Sequence, residues 1–290
     1  MRKMMLPLAM LAIAAGTSAQ ELATEVKSTE IVPGVYMLEG ANGFSSNIGL
    51  MIGDEHVLLI DDGMAPITTN LLQTVEKMAG RPVDFVINTH VHGDHVGSNA
   101  ALAENGATVF AHDNLRRRLV EEPENAGGPG GLPVVTFNDS VTFHVNGHEA
   151  FVFHVAAAHT DGDAVIHFRD INIIDAGDLH FNYMFPFIDL DSGGSVAGYI
   201  AGQQQIIDLA DADTKIIPGH GPVASRADLQ VAVDMLIDAR ARVQVLVDDG
   251  MSEAEVLAAN PLQQYHEQWN WGFITTERMT GTLYRSLTAN

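Results

Sequence analysis

Along this chain, short runs of alternating or continuous apolar residues are separated by stretches with helical spacing. Residues 32–39 are rich in β-formers and predict a strand, while residues 20–30 read as a tail ahead of it. Ile48-Gly49-Leu50-Met51-Ile52 and Val57-Leu58-Leu59-Ile60 flank Gly53-Asp54-Glu55-His56 and predict a hairpin. In residues 67–79, Leu71, Leu72, Val75 and Met78 recur on one side of a helix, which Gly80-Arg81-Pro82 stops. Asp84-Phe85-Val86-Ile87-Asn88 predicts a short buried strand, residues 94–105 a helix, and Thr108-Val109-Phe110-Ala111 another strand. Residues 112–120 predict a helix with Arg116, Arg117 and Arg118 on a solvated face. Residues 121–133, with three Pro and four Gly, predict a loop, a candidate substrate flap.

From residue 134 to 176 the pattern is mostly strand. Residues 195–210 predict a helix, Lys215-Ile216-Ile217 a strand, and 227–247 a long amphipathic helix. Ser252-x-x-Glu255 is a capping box opening the next helix, and residues 273–287 close the chain with another. Two β-rich halves, each flanked by helices, predict two sheets packed face to face with helices outside.

Composition narrows the function classes. The chain has 290 residues, 46% hydrophobic and 18% charged, enough for a sizeable core. Net charge is −22, from 37 Asp+Glu against 15 Lys+Arg, so the surface repels phosphate backbones and excludes nucleic acid as a partner. Arg2 and Lys3 precede an uncharged apolar run over residues 4–15, and Thr17-Ser18-Ala19 supplies small residues before a cut ahead of Gln20. Residues 1–19 therefore read as a signal peptide, which makes the mature chain residues 20–290. The expected location is the bacterial periplasm or the medium. The apolar run is shorter than the roughly 20 residues a membrane span needs, so no stable membrane association is expected. There is no Cys, hence no disulfide and no dependence on the redox state of the compartment.

The densest chemistry lies in Thr89-His90-Val91-His92-Gly93-Asp94-His95. Imidazole and carboxylate are the ligands that catalytic zinc accepts. In extended chain, His90 and His92 face the same way. Gly93 permits a turn, after which Asp94 and His95 aim at a second point.

Thr-His-x-His-x-Asp-His resembles the defining motif of the metallo-β-lactamase superfamily. Further pieces follow in that family's order: Leu59-Ile60-Asp61-Asp62-Gly63, His159 in Ala158-His159-Thr160-Asp161-Gly162-Asp163, Asp178 in Ala176-Gly177-Asp178-Leu179, and His220 in Ile217-Pro218-Gly219-His220-Gly221-Pro222. The match runs from about residue 31 to 222. The resemblance implies an α/β fold, the αβ/βα four-layer sandwich of two mixed sheets with outer helices. Residues 20–290 would then form one catalytic domain with C-terminal helices. It implies two zinc ions per chain, with iron or manganese as substitutes for the same donors. His90, His92 and His159 would hold one, Asp94, His95 and His220 the second, and Asp178 would bridge them. The chemistry implied is hydrolysis by a hydroxide shared between the metals, with Asp94 orienting it and shuttling its proton.

Asp61, Asp62 and Thr89 stand where they can orient imidazoles, although Asp62 equally suits helix capping. Thr160 and Asp163 can hold the His159 loop, with Asp161-Gly162 making its turn. His180, two residues past Asp178, is a second catalytic candidate at the pocket mouth, or a residue behind it. Tyr183, Phe181 and Phe185 are candidate pocket lining, whereas Phe187, Trp269 and Trp271 read as packing residues. His56, His112, His144, His148, His154, His167 and His266 lack a ligand context.

For the substrate, a small molecule is expected. Aspartate at position 178, where several β-lactamases of the family carry cysteine, resembles lactonases, thioester hydrolases of the glyoxalase II kind and phosphodiesterases. Export favours β-lactams, lactones and esters over glutathione thioesters. An iron-dependent oxidoreductase acting on sulfur compounds is the remoter alternative within the resemblance.

Overall fold

A computed structural model describes residues 25–40 and 45–289. The leader assigned to residues 1–19 lies outside the described residues.

The first sheet runs in the order β1 Val26–Val32, β2 Val35–Gly40, β3 Asn47–Ile52, β4 Val57–Ile60, β5 Phe85–Ile87, β6 Thr108–His112, β7 Val135–Phe137. Strands β1 to β4 pair antiparallel, and β4 to β7 pair parallel. Helix α1 (Thr68–Ala79) connects β4 to β5. Helices α2 (Gly93–Val96) and α3 (Asn99–Glu104) connect β5 to β6, and α4 (Asp113–Glu121) follows β6.

The second sheet contains β8 Ser140–Val145, β9 His148–Val155, β10 Asp163–Phe168, β11 Ile173–Phe181, β12 Lys215–His220 and β13 Ala224–Ser225, side by side in chain order. Only β11 and β12 pair parallel, joined by the crossover helix α5 (Val196–Leu209). The C-terminal helices are α6 (Arg226–Asp248), α7 (Glu253–Ala259), α8 (His266–Trp269) and α9 (Thr276–Thr288).

Three buried clusters define four layers. Leu71, Val75 and Leu102 of α1 and α3 pack on one face of the first sheet through Leu50, Leu59 and Val86. Its other face meets the second sheet through Leu58, Ile87, Val152, Ile166 and Ile217. Tyr199, Ile206, Leu229, Leu236 and Leu283, from α5, α6 and α9, cover the outside. The αβ/βα sandwich expected from the sequence is the fold. Among the described residues, no helix is long and apolar enough to cross a membrane.

Two local expectations are corrected. Residues 26–30, read as part of a tail, form the edge strand β1 together with Ile31 and Val32, so Val32 ends that strand rather than opening the one expected over 32–39. The turn at Pro33-Gly34 folds β1 back on β2, from Val26↔Gly40 to Val32↔Val35. Its Lys27, Ser28, Thr29 and Glu30 are exposed, which removes the alternation that marks a buried strand while suiting a sheet edge. The single helix expected over 94–105 is two short ones. Gly97 N–H donates to Gly63 O and Ser98 N–H to Asp62 Oδ1, so these donors serve the end of β4 and the helix breaks there.

Candidate metal centre

Five strand ends and loops converge at one edge of the sandwich. The segment after β5 carries Thr89 to His92, and α2 carries Asp94 and His95. The β9–β10 connection supplies His159, β11 supplies Asp178, and β12 ends on His220. Hydrogen bonds across the sheets fix this edge: Ala164 N–H donates to Thr89 O, and Asn47 Nδ2 donates to Pro218 O and Gly221 O. The β11–β12 register shifts between Asp175 and Gly177, a bulge of the kind that re-aims a strand side chain. A Cβ on Gly219 would sit 2.0 Å from Asp178 Oδ1, so only glycine leaves room for that carboxylate.

The seven residues expected as ligands come together in two adjoining groups. In the first, His92 Nδ1 lies 3.1 Å from His90 Nε2 and 2.9 Å from His159 Nε2. Asp178 Oδ2 lies 3.6 Å from His90 Nε2 and 3.4 Å from His159 Nε2. In the second, Asp94 Oδ2 lies 3.2 Å from His220 Nε2 and 3.6 Å from His95 Nε2. Asp178 Oδ1 lies 3.2 Å from His95 Nε2 and 3.5 Å from His220 Nε2. One oxygen of Asp178 thus faces each group. Bonds of about 2.0–2.1 Å in a tetrahedron leave ligand atoms about 3.4 Å apart, close to these separations.

The surrounding hydrogen bonds select tautomers. His95 Nδ1 donates to Asp61 Oδ2 at 2.7 Å, and His159 Nδ1 to Phe187 O at 2.8 Å. His92 Nε2 donates to Asp189 Oδ2 at 2.9 Å. Thr89 Oγ1 donates to Asp61 Oδ2 and so is free to accept from His90 Nδ1, 3.0 Å away. Each bond places the lone pair of the other ring nitrogen towards the cluster, as partners behind metal-bound histidine do. Asp61 also accepts from Thr89 N–H and holds a left-handed φ of 60°, a conformation aspartate tolerates.

Electrostatics call for a cation here. Burial pushes the Asp178 carboxyl up, but His95, His220 and His159 outweigh it and hold the group well below the carboxylate range. Burial likewise raises Asp94, and His95 and His220 bring it down. His95 is pushed well above the imidazole value because Asp178, Asp94 and Asp61 overcome burial. Burial and neighbouring imidazoles drive His90 well below that value, and burial lowers His159 to about 4. His95 Nε2 and Asp178 Oδ1 are buried with no hydrogen-bond partner. Orphaned donor atoms of ligand type, converging at ligand spacing, fit a bound metal. The nitrogen and oxygen set suits zinc.

Other expected residues are placed as follows. His180 is fully buried rather than at the pocket mouth. Neither ring nitrogen has a hydrogen-bond partner, and Asp228, at the start of α6, acts on it electrostatically. Asp62 accepts from Ser98 N–H at the α2–α3 junction. Asp163 accepts from Thr160 N–H and Oγ1 and so holds the His159 loop. Arg118 is not merely solvated: its guanidinium grips Asp161 at 2.8 and 2.9 Å and ties α4 to that loop. The 121–133 segment forms two short 3-10 turns, with buried Ala126 and Gly131, and approaches Gly93 through Asn125. Tyr183 is 46% exposed, with its hydroxyl on Asp228, and Phe185 is buried in the core.

Three residues at the site escaped the sequence. Phe187, expected as packing, lies 5.3 Å from the His92 ring and 5.7 Å from His159, centroid to centroid. Trp271 lies 6.2 Å from His220. Asp189, which holds His92, sits in Asp189-Leu190-Asp191-Ser192-Gly193-Gly194, a run that signals only a turn. Its Oδ1 does serve a turn, accepting from Asp191 and Ser192 N–H, while Oδ2 takes the imidazole.

The chain is similar to known proteins in sequence and in fold. Residues 41–227 match the metallo-beta-lactamase superfamily model. A metallo-beta-lactamase type 2 of Bacillus cereus is 23% identical over 194 residues, 65% of this chain and 72% of that protein. A hydroxyacylglutathione hydrolase of Polaromonas is 28% identical over 147 residues, 50% of this chain and 51% of that one. The solved metallo-beta-lactamase of Pontibacter korlensis superposes with a TM-score of 0.65 at 21% identity, over 74% of this chain and all of that one, a likeness of fold. With the family's fold, its motif and a convergent His/Asp cluster, the chain belongs to the metallo-β-lactamase superfamily and is a metal-dependent hydrolase.

Proposed function

We propose that this hydrolase is exported, holds two zinc ions, and opens acyl bonds of the β-lactam, lactone or ester type. The observation that carries the reading is the split of Asp178, with Oδ2 at the first imidazole group and Oδ1 at the second. Zinc, when bound, lowers the pKa of a bound water to about 7 and polarises a carbonyl oxygen. The protein's own part is orientation and charge. Asp94 and Asp178 would neutralise part of the divalent charge, and five imidazoles, four of them with tautomers set by hydrogen bonds, would supply neutral donors. The Asp94 side chain is 24% exposed, the most open of the second group, so its carboxylate can take a proton from attacking water and pass it to the leaving atom.

Export is supported by the leader read at residues 1–19. A thioester substrate is the second reading, supported by the likeness to the Polaromonas hydrolase. The test is a panel of β-lactam, lactone, ester and hydroxyacylglutathione substrates on zinc-loaded protein, with zinc content measured. Turnover confined to the thioester would select the second reading. One iron per chain, with no hydrolysis across the panel, would end both.

A further inference from the structure

The rim of the metal centre includes an arc of aromatic rings that the C-terminal segment completes. Phe187 packs beside His92 and His159 of the first ligand group. Phe273 meets Phe187 at 5.3 Å, and Trp271 meets Phe273 at 5.7 Å. Trp271 then reaches His220 of the second group at 6.2 Å, and buried Phe181 stacks on His220 at 5.0 Å. The arc therefore starts at one ligand group and ends at the other.

It is also held rigid. Trp271 Nε1 donates to Phe185 O, and Phe185 N–H donates to Trp269 O. Arg278 lies 4.2 Å over the Phe273 ring and 5.3 Å over Phe187, and its Nη1 donates to Phe273 O. Arg278 has no carboxylate partner among the described residues, although Asp191, Glu253 and Glu277 line the same groove of about 500 Å³. Phe273 nevertheless stays 48% exposed. A fixed aromatic face, open to solvent and bounded by ligand imidazoles, suits a flat apolar group attached to the bond being cleaved.

We propose that Phe187, Trp271 and Phe273 form a subsite for an aromatic or branched apolar acyl group, with Arg278 as the positioning residue that clamps the wall. This selects arylacyl substrates within the acyl-hydrolase reading above, on which it rests. Binding and turnover are therefore tested separately. Phenylacetate and acetate are titrated into zinc-loaded protein by calorimetry; they differ only by the ring. Phenylacetate binds at least about tenfold more tightly, and Phe273→Ala removes that preference while Phe273→Leu keeps part of it. Hydrolysis of ethyl phenylacetate and ethyl acetate is then compared. Phe273→Ala raises KM for the first alone, and Arg278→Gln shifts it the same way by less.

Equal binding of phenylacetate and acetate to the parent protein overturns the subsite, as does a preference that survives Phe273→Ala in a variant whose melting curve is unchanged. A ring preference without ester turnover upholds the subsite and counts against the hydrolase substrate class. Ester turnover without a ring preference does the reverse.

Discussion

His92 donates from Nε2 to Asp189 Oδ2 at 2.9 Å, and its Nδ1 consequently faces the other ligands of the first group. Burial pushes the Asp189 carboxyl up, but the hydrogen bonds from His92 and Ser192 hold it well below the usual carboxylate range, so it is an ionised acceptor at neutral pH. Asp189→Asn removes that charge and lets the amide present a donor to the ring. Zinc affinity, measured by competition with a chromophoric chelator, should fall about 10- to 100-fold. An unchanged affinity would show that the ring needs no such partner.

Asp178 offers a second measurement. Asp178→Ala takes one oxygen from each group. Metal analysis after dialysis should find two zinc per chain in the parent protein and about one or fewer in the variant. Chelator treatment should abolish hydrolysis by the parent, and added zinc should restore it.

Asp94 separates holding metal from moving protons. Asp94→Asn keeps an oxygen near His220 and His95 but cannot accept a proton. The kcat should drop by about 10²-fold or more, with a smaller change in KM. A variant that keeps both zinc ions and full kcat would remove Asp94 from the proton path.

His180 supplies a pH test outside the cluster. Burial lowers its pKa to about 4, so the folded protein resists the proton that the unfolded chain accepts near 6.5. The unfolded state then binds more protons below that value, and stability falls as pH drops from 6.5 towards 4. His180→Phe should flatten this part of the profile, which denaturant unfolding of metal-free protein at pH 7 and pH 5 would show. If the slope is unchanged, the acid sensitivity arises elsewhere.

The ligands were legible because their signal is local. His90, His92, Asp94 and His95 lie in one six-residue stretch, and His159, Asp178 and His220 each sit in a short motif. The layered fold was legible for a similar reason, since most strands carry their own apolar pattern. What was missed depends on partners far along the chain. Asp189 reads as a turn residue because the turn uses one of its oxygens, while its role at the centre uses the other, 97 residues from His92. Phe187 and Trp271 have the composition of core, and only the C-terminal fold shows that their rings border the ligands. The β1 strand lacks a pattern because its side chains meet solvent. The break at Gly97 depends on Gly63 and Asp62, which no helical periodicity records.

The carbonyl of Phe187 that orients His159 lies two residues beyond Phe185, which bonds both Trp269 and Trp271. The backbone that sets the His159 tautomer is therefore continuous with the backbone on which residues 269–271 dock. By linkage, whatever free energy a cation held by His159 lent to that docking would return as tighter binding of the cation while the docking is intact.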